Sequence, residues 1–211
     1  MLEGERHRIA LELEAIDLFD CVARERGRRR WDLLVAHVFL DEVDISPTVP
    51  LLLTALRKGG LFYFSMNFDG VTIIEPVVHE GLDALIEHLY HETMDERTLH
   101  GMPCGDSRTG RHLLACIKNA GAEILDVGGS DWVVFPTSSV YPADEAFFLH
   151  CIIETIHEAL KGHSRLDSER FAAWVAERHA QIGRSELVLI VHQLDFVGEV
   201  SHPGDRPSKH T

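Results

Sequence analysis

His37 is the side chain in this sequence best suited to proton transfer. It lies near the end of the apolar run 31–39, Trp-Asp-Leu-Leu-Val-Ala-His-Val-Phe. An imidazole titrates near neutral pH, so His37 could act as a general base toward a nucleophile. A single histidine at the end of a strand is also a common structural hydrogen-bonding group, and the sequence leaves both roles open.

A second group of polar residues lies further along the chain. His150, Glu154 and His157 are spaced i, i+4 and i+7, which places them on one face of a helix. They could line a substrate cavity or bind a metal ion, although such a stripe more often marks the boundary of a packed face. The pairs His91-Glu92 and His157-Glu158 lack the second histidine of a zinc-binding H-E-x-x-H motif, so we predict no metal site.

The elements around His37 predict an α/β fold. The run 31–39 is typical of a strand covered on both faces. Asp44 or Ser46 can cap a following helix that ends in the cations and glycines of 57–60, and 61–66 forms another strand. A strand–helix–strand unit of this kind makes a parallel sheet with a right-handed crossover.

The rest of the chain continues the same pattern. The segment 9–15 alternates apolar and acidic residues and predicts a strand, or else the start of a helix. The remaining predicted elements are helices at 16–26, 81–96, 109–119, 143–160 and 168–182, and strands at 123–127, 130–135 and 186–196.

Three segments together resemble class I S-adenosylmethionine-dependent methyltransferases. W-D-L-L-V-A-H-V-F-L-D-E-V-D, a helix ending A-L-R-K-G-G, and L-F-Y-F-S-M-N are similar to the fourth strand, fourth helix and fifth strand of that family. The turn A-G-A-E after a helix adds to the resemblance. Lys58 stands where the family commonly has proline.

The resemblance implies an incomplete Rossmann-like methyltransferase sheet, mostly parallel with an antiparallel last strand, and with helices on both faces. It also implies a helical insertion at about 142–184. The length of the chain predicts one domain over residues 1–198, and the polar composition of 199–211 predicts a flexible tail. The family's glycine-rich loop has no counterpart, because Gly4 is the only glycine before Gly27 and no G-x-G occurs in the chain.

Ligands in open α/β sheets bind beyond the carboxyl ends of the strands. The resemblance therefore implies that S-adenosylmethionine would lie against the far wall of the family's pocket. The residues of that wall are Asp17 (with Asp20 as the competing choice), Leu18, Ala36, His37 and Phe39. It also implies a substrate side formed by Asn67, Phe68 and His150.

The expected function is that of a methyltransferase-like protein, truncated and inactive alone, acting on a small-molecule acceptor. The alternative is a non-catalytic interaction or dimerisation module. An exposed sheet edge would bind a complementing chain or a second copy. An α/β hydrolase is disfavoured, since no G-x-S-x-G motif occurs.

Charge and hydropathy narrow the range of partners. The formal net charge of −14 disfavours duplex nucleic acid as a ligand. No apolar run approaches the about 18 residues of a membrane span, so we expect a cytoplasmic protein that does not bind membranes.

Overall fold

The computed structural model describes residues 2–4, 7–99 and 101–200. The helices are α1 Leu18–Glu25, α2 Ile45–Leu53, α3 Glu80–Asp95, α4 Thr109–Asn119, α5 Glu145–Leu160 and α6 Ser168–Gly183, with a 3-10 turn at Leu40–Glu42. The strands are β1 Leu2–Gly4, β2 His7–Ile9, β3 Trp31–His37, β4 Leu56–Glu75, β5 Thr98–Leu99, β6 Met102–Pro103, β7 Ala122–Gly129, β8 Trp132–Val134 and β9 Val188–Val200.

The main sheet has the order β3-β4-β9-β7, with β8 also paired to β9. β3 pairs with β4 in parallel, whereas β9 lies antiparallel between β4 and β7. Because β4 and β7 both oppose β9, the strands β3, β4 and β7 run in one direction. The predicted fold class, a mixed α/β sheet with an antiparallel last strand, is confirmed.

One face of the sheet carries a core beneath α1, α2 and α4. Phe62 and Phe64 of β4 and Phe196 of β9 are fully buried there. Leu52 of α2 and Leu113 of α4 cover these rings. Burial of side chains of this size stabilises a fold by roughly 1.5–3 kcal/mol each.

A second core lies on the opposite face, toward the other end of the long strands β4 and β9. Side chains alternate along a strand, so Leu189 and Val191 of β9 point away from the face that carries Phe196. Both pack with α3, α5 and α6, where Leu149 and Trp174 are buried. Helices therefore cover both faces, as predicted, and residues 142–184 contain α5 and α6.

Part of that second face carries no helix within the described residues. Leu33 and Val35 of β3 pair in register with Leu61 and Tyr63 of β4, and all four side chains are 36–54% exposed. We call these four residues the open patch. In the described part of the chain, β3 has a strand partner on one side only, so an open edge adjoins the patch.

Three expectations were wrong. Residues 10–17 form neither strand nor helix, and Leu11 and Leu13 are 68% and 92% exposed. Residues 57–60 do not end a helix: α2 ends at Leu53, and 57–60 belong to β4, with its pairing to β3 shifted between Trp31 and Leu33. Glu199 and Val200 belong to β9 rather than to a tail, and 201–211 lie outside the described residues.

None of the described helices is long and apolar enough to cross a bilayer.

Candidate functional site

The backbone is strained at the carboxyl end of β3 and at the adjacent point of β4. Val38 and Met66 both have left-handed φ values, 48° and 59°, which are uncommon for side chains larger than glycine and rarest for a β-branched residue. The Val38 N–H donates to the Ser65 carbonyl at 3.2 Å, so the two segments are tied together. Such strain is found at functional sites, and a cavity opens beside it, so this end of the sheet is the candidate site.

A cavity of about 260 Å³ opens at this point. Four of the five residues predicted for cofactor binding, Leu18, Ala36, His37 and Phe39, line it together with Leu34, Val35 and Leu52. The fifth, Asp17, caps α1: its Oδ1 accepts hydrogen bonds from the N–H groups of Phe19 at 2.8 Å and Asp20 at 3.2 Å. The structure thus brings the predicted wall together, with the Asp17 carboxylate already engaged by the helix.

His37 is exposed at the rim of the cavity, and its Nδ1 contacts the hydroxyl oxygen of the buried Ser65. This contact orients the imidazole ring and leaves Nε2 directed away from Ser65. The structure thus shows the hydrogen-bonding role of His37, and its role as a general base stays a prediction.

Asp195 organises the neighbouring strands, although no motif in the sequence marks it. Its carboxylate accepts hydrogen bonds from the Met66 N–H at 2.8 Å, the Ser130 hydroxyl at 2.6 Å and the Tyr63 hydroxyl at 3.2 Å. The negative charge of Asp195 raises the pKa of Tyr63. The hydrogen bond to Met66 supports the strained residue directly, from a position 129 residues away in sequence.

Two buried oxygens near the site have no hydrogen-bond partner among the described residues. They are Oδ1 of Asn67 and Oδ1 of Asp41. The Asn67 amide nitrogen donates to the Leu194 carbonyl at 2.8 Å, which holds this side chain within the sheet. Burial raises the pKa of Asp41.

The three residues predicted for the substrate side do not line the cavity. Asn67 is fully buried, and Phe68 is 8% exposed with its ring edge-to-face on His91 at 5.2 Å between centroids. His150 lies on α5 beside His179 of α6. A substrate role for these residues stays a prediction.

The lining of the cavity matches only part of S-adenosylmethionine. Its side chains are aliphatic or aromatic except for His37, which suits a flat ring such as adenine. The ribose hydroxyls and the charged amino-acid group need hydrogen-bonding partners that this lining does not supply, and Asp17, which caps α1 through Oδ1, does not line the cavity. The described residues thus do not fit the whole molecule by themselves.

No protein-family model matches the chain, and no curated protein does. Solved structures are similar to it at low identity. A putative methyltransferase from Bacillus halodurans C-125 has a TM-score of 0.39 at 9% identity over 82% of this chain and 66% of that chain. A SAM-dependent methyltransferase from Thiobacillus denitrificans, in complex with S-adenosylhomocysteine, has a TM-score of 0.33 at 13% identity over 82% and 60%.

Phosphoethanolamine N-methyltransferase 2 of Haemonchus contortus, in complex with S-adenosylmethionine, has a TM-score of 0.32 at 10% identity. That match covers 82% of this chain and 34% of that one. The chain thus spans between about a third and two thirds of the length of these three structures.

Proposed function

We propose that this chain forms the carboxyl-terminal part of an S-adenosylmethionine-dependent methyltransferase fold and binds the cofactor only when a complementing polypeptide covers its open patch. The strand order β3-β4-β9-β7, with β9 antiparallel, supports the first half of the proposal. It agrees with the fourth-strand and fifth-strand motifs that the sequence carries in 31–66.

The observation that carries the proposal is the position of the open patch beside the cavity. Val35 belongs to both, because it lines the cavity and is 52% exposed on the uncovered face. Leu33, Leu61 and Tyr63 extend the same apolar surface. Apolar side chains that share one face of a sheet favour burial, and an open strand edge favours a further strand.

The cavity itself is consistent with an incomplete pocket. Its volume of about 260 Å³ lies below the roughly 300–1,000 Å³ of sites that enclose a small molecule. Polypeptide packed against Val35 would add a wall, and its polar groups would meet the parts of the cofactor that the present lining leaves without partners. The cofactor would supply the methyl group, and the acceptor is expected to be a small molecule held near His37.

The first test is a calorimetric titration of the purified 211-residue chain with S-adenosylhomocysteine, which needs no knowledge of the acceptor. We expect no binding heat, because the described lining matches the adenine part alone. Micromolar binding by the chain as a monomer would contradict the requirement for a complementing polypeptide.

The second test uses the gene. An in-frame extension upstream of Met1 that encodes a strand and a glycine-rich loop would be expressed with the chain and titrated in the same way. We expect micromolar binding that Leu18→Asp abolishes, since Leu18 lines the cavity, whereas Leu11→Asp at an exposed position leaves it unchanged. Failure of the extended chain to bind would refute cofactor binding and leave the non-catalytic module as the better hypothesis.

A further inference from the structure

A pair of imidazoles joins α5 to α6, outside the lining of the cavity. Nδ1 of His150 lies 2.7 Å from Nδ1 of His179. The ring centroids are 5.0 Å apart, and the ring planes are inclined by 26°. The centroid separation equals the distance between the nitrogens plus about one ring radius on each side, so the two nitrogens point at each other. This is the geometry of an N–H···N hydrogen bond, in which one ring donates and the other accepts.

A neighbouring carboxylate determines which ring accepts. Glu154 lies one turn after His150 on α5, and its Oε2 is 3.9 Å from Nε2 of His179. A negative charge there favours a proton on that nitrogen, which leaves the lone pair of His179 on Nδ1. His150 is therefore the donor through its Nδ1, and its Nε2 carries no proton while the ring is neutral.

The contact responds differently to a first and to a second added proton. The first can bind Nε2 of His150, which takes no part in the contact, and the hydrogen bond then becomes charge-assisted and stronger. The second would have to occupy Nδ1 of His179. Two N–H donors and two like charges would then meet head-on, which is incompatible with the observed distance of 2.7 Å.

From this geometry we propose that the His150–His179 pair is a pH-dependent link between α5 and α6, which holds while at most one ring is charged and opens when both are charged. The protons come from the solvent, since the side chain of His179 is 31% exposed. Two histidines coupled in this way titrate in separate steps that belong to the pair rather than to either residue.

The surroundings of the pair act on the second step. Burial lowers the pKa of His179, and the neighbouring His150 lowers it further, whereas Glu154 raises it and His157 lowers it. Other charged groups of α3, α5, α6 and the segments that follow α5 and α6 form ion pairs of their own, namely Arg178 with Asp83, Arg184 with Glu177, Arg165 with Glu92, and Lys161 with Glu158.

Acidification should therefore loosen the contact between α5 and α6. A histidine whose pKa is lower in the folded than in the unfolded state contributes stability that is fully present above its unfolded pKa of about 6.5. That contribution is lost as the pH falls toward and through the folded pKa of His179. The first proton, on His150, leaves the link closed, so the loss depends on the second.

The first measurement determines where the protons are. Long-range ¹H–¹⁵N spectra of the purified full chain identify the protonated ring nitrogens between about pH 8 and pH 4. At the upper end we expect a proton on Nδ1 of His150 and on Nε2 of His179. On acidification the pair should take up charge in two steps that are more than about one pH unit apart.

The second measurement determines whether the link opens. Hydrogen exchange is followed over the same pH range and corrected for the direct effect of pH on exchange. As the pH falls below about 6.5, the amides of α5 and α6 should lose protection by up to about tenfold per pH unit until the folded pKa of His179 is reached. The amides of α2 and α4 should keep their protection.

Neutral replacements separate titration from packing. His179→Gln keeps an acceptor opposite His150, and His150→Gln keeps a donor opposite His179, so each variant should retain the contact and lose its response to acid. Glu154→Gln should shift the opening to lower pH, because it removes the carboxylate that raises the pKa of His179. His192→Gln is the matched control, since its Nδ1 contacts Asp131 beside β9, and it should behave as the wild type. Circular dichroism at about pH 8 checks that each variant folds.

Three outcomes would overturn the proposal. Titration of His150 and His179 in one common step would show that the rings do not share a proton. A proton on Nε2 of both neutral rings would leave no donor between the two Nδ1 atoms. An equal loss of protection in the wild type and in both His179→Gln and His150→Gln would show that the pH dependence arises elsewhere in the chain.

Discussion

The ring of Phe62 lies directly over Gly198, its partner across β4 and β9. A Cβ atom on Gly198 would lie 2.1 Å from Cζ of Phe62 and 2.3 Å from the carbonyl oxygen of Glu123. One contact is with a ring that is fully buried in the core and the other is with the backbone of β7, so the packing around one or both must shift to admit a Cβ atom.

Gly198→Ala should therefore lower the free energy of unfolding. Overpacking typically costs about 1–3 kcal/mol, and we expect a loss at the upper end of this range or above it. Denaturant titration measures this loss. Gly128→Ala is the control, because no atom lies within 4 Å of a Cβ built there. Equal stabilities of the two variants would show that the ring and the β7 backbone can move aside.

Asp83 and Arg178 connect α3 to α6 in the second core. The Arg178 side chain is 1% exposed and donates to Asp83, to the Pro76 carbonyl at 2.7 Å and to Gln181 at 2.9 Å. Asp83 also accepts a hydrogen bond from the Trp174 indole at 2.9 Å. Burial lowers the pKa of Arg178 in spite of this carboxylate.

Asp83→Ala should cost about 3–5 kcal/mol of stability, because it leaves a buried guanidinium without its counter-ion. Asp83→Asn should cost less, since it keeps an acceptor for both donors. The comparison is made by urea unfolding, with the exposed Glu80→Gln as the control in the same turn of α3. A loss below about 1 kcal/mol for Asp83→Ala would mean that water reaches Arg178 freely.

The stability of the protein should depend on pH through the carboxyl group of Asp41. Burial is the main cause that raises the pKa of its carboxyl group, and one carboxyl oxygen has no partner among the described residues. A carboxyl group whose pKa is raised on folding contributes most stability below its unfolded pKa of about 3.9, and this contribution is lost as the pH rises through the folded value.

Asp41→Asn should therefore raise the Tm at pH 7 relative to the wild type, and the difference should narrow as the pH falls toward 4. Thermal unfolding at several pH values measures the two curves. Asp32→Asn is the control, since that side chain is 82% exposed. Parallel curves for wild type and Asp41→Asn would contradict a raised pKa.

Charged side chains should be tolerated in the open patch, on the exposed face of β3. Leu33 and Val35 are 54% and 52% exposed, so the double variant Leu33→Lys, Val35→Lys should change the unfolding free energy of the isolated chain by less than about 1 kcal/mol. The same variant should reduce the fluorescence of an apolar dye bound to the chain and any self-association seen by sedimentation.

Leu125→Lys is the control for this variant, because Leu125 is 53% exposed on β7 at the other edge of the sheet. It should change the dye signal less than the double variant does. A large destabilisation by Leu33→Lys, Val35→Lys would show that the patch is already covered in the free chain.

Local periodicity was sufficient to predict most elements. The apolar run at 31–39 became β3, and the helical spacing of 81–96 became α3 with a shift of one residue. The two-residue repeat of strands and the 3.6-residue repeat of helices depend only on residues close in sequence, so they can be recognised without knowledge of the tertiary structure. The class of fold follows, because a strand, a helix and a strand in succession favour a parallel pairing.

The tertiary structure alone decided the extent of β4, since pairing with β3 on both sides of 57–60 places these residues in the strand, and pairing with β9 extends the strand to Glu75. It also decided which faces are covered, which side chains surround the strained residue Met66, and that His150 meets His179. Asp195 and Met66 are 129 residues apart, and His150 and His179 are 29 apart on different helices. Such contacts depend on strand register and helix packing, which no local pattern encodes, because each is determined by the whole set of surfaces that the folded chain must bury.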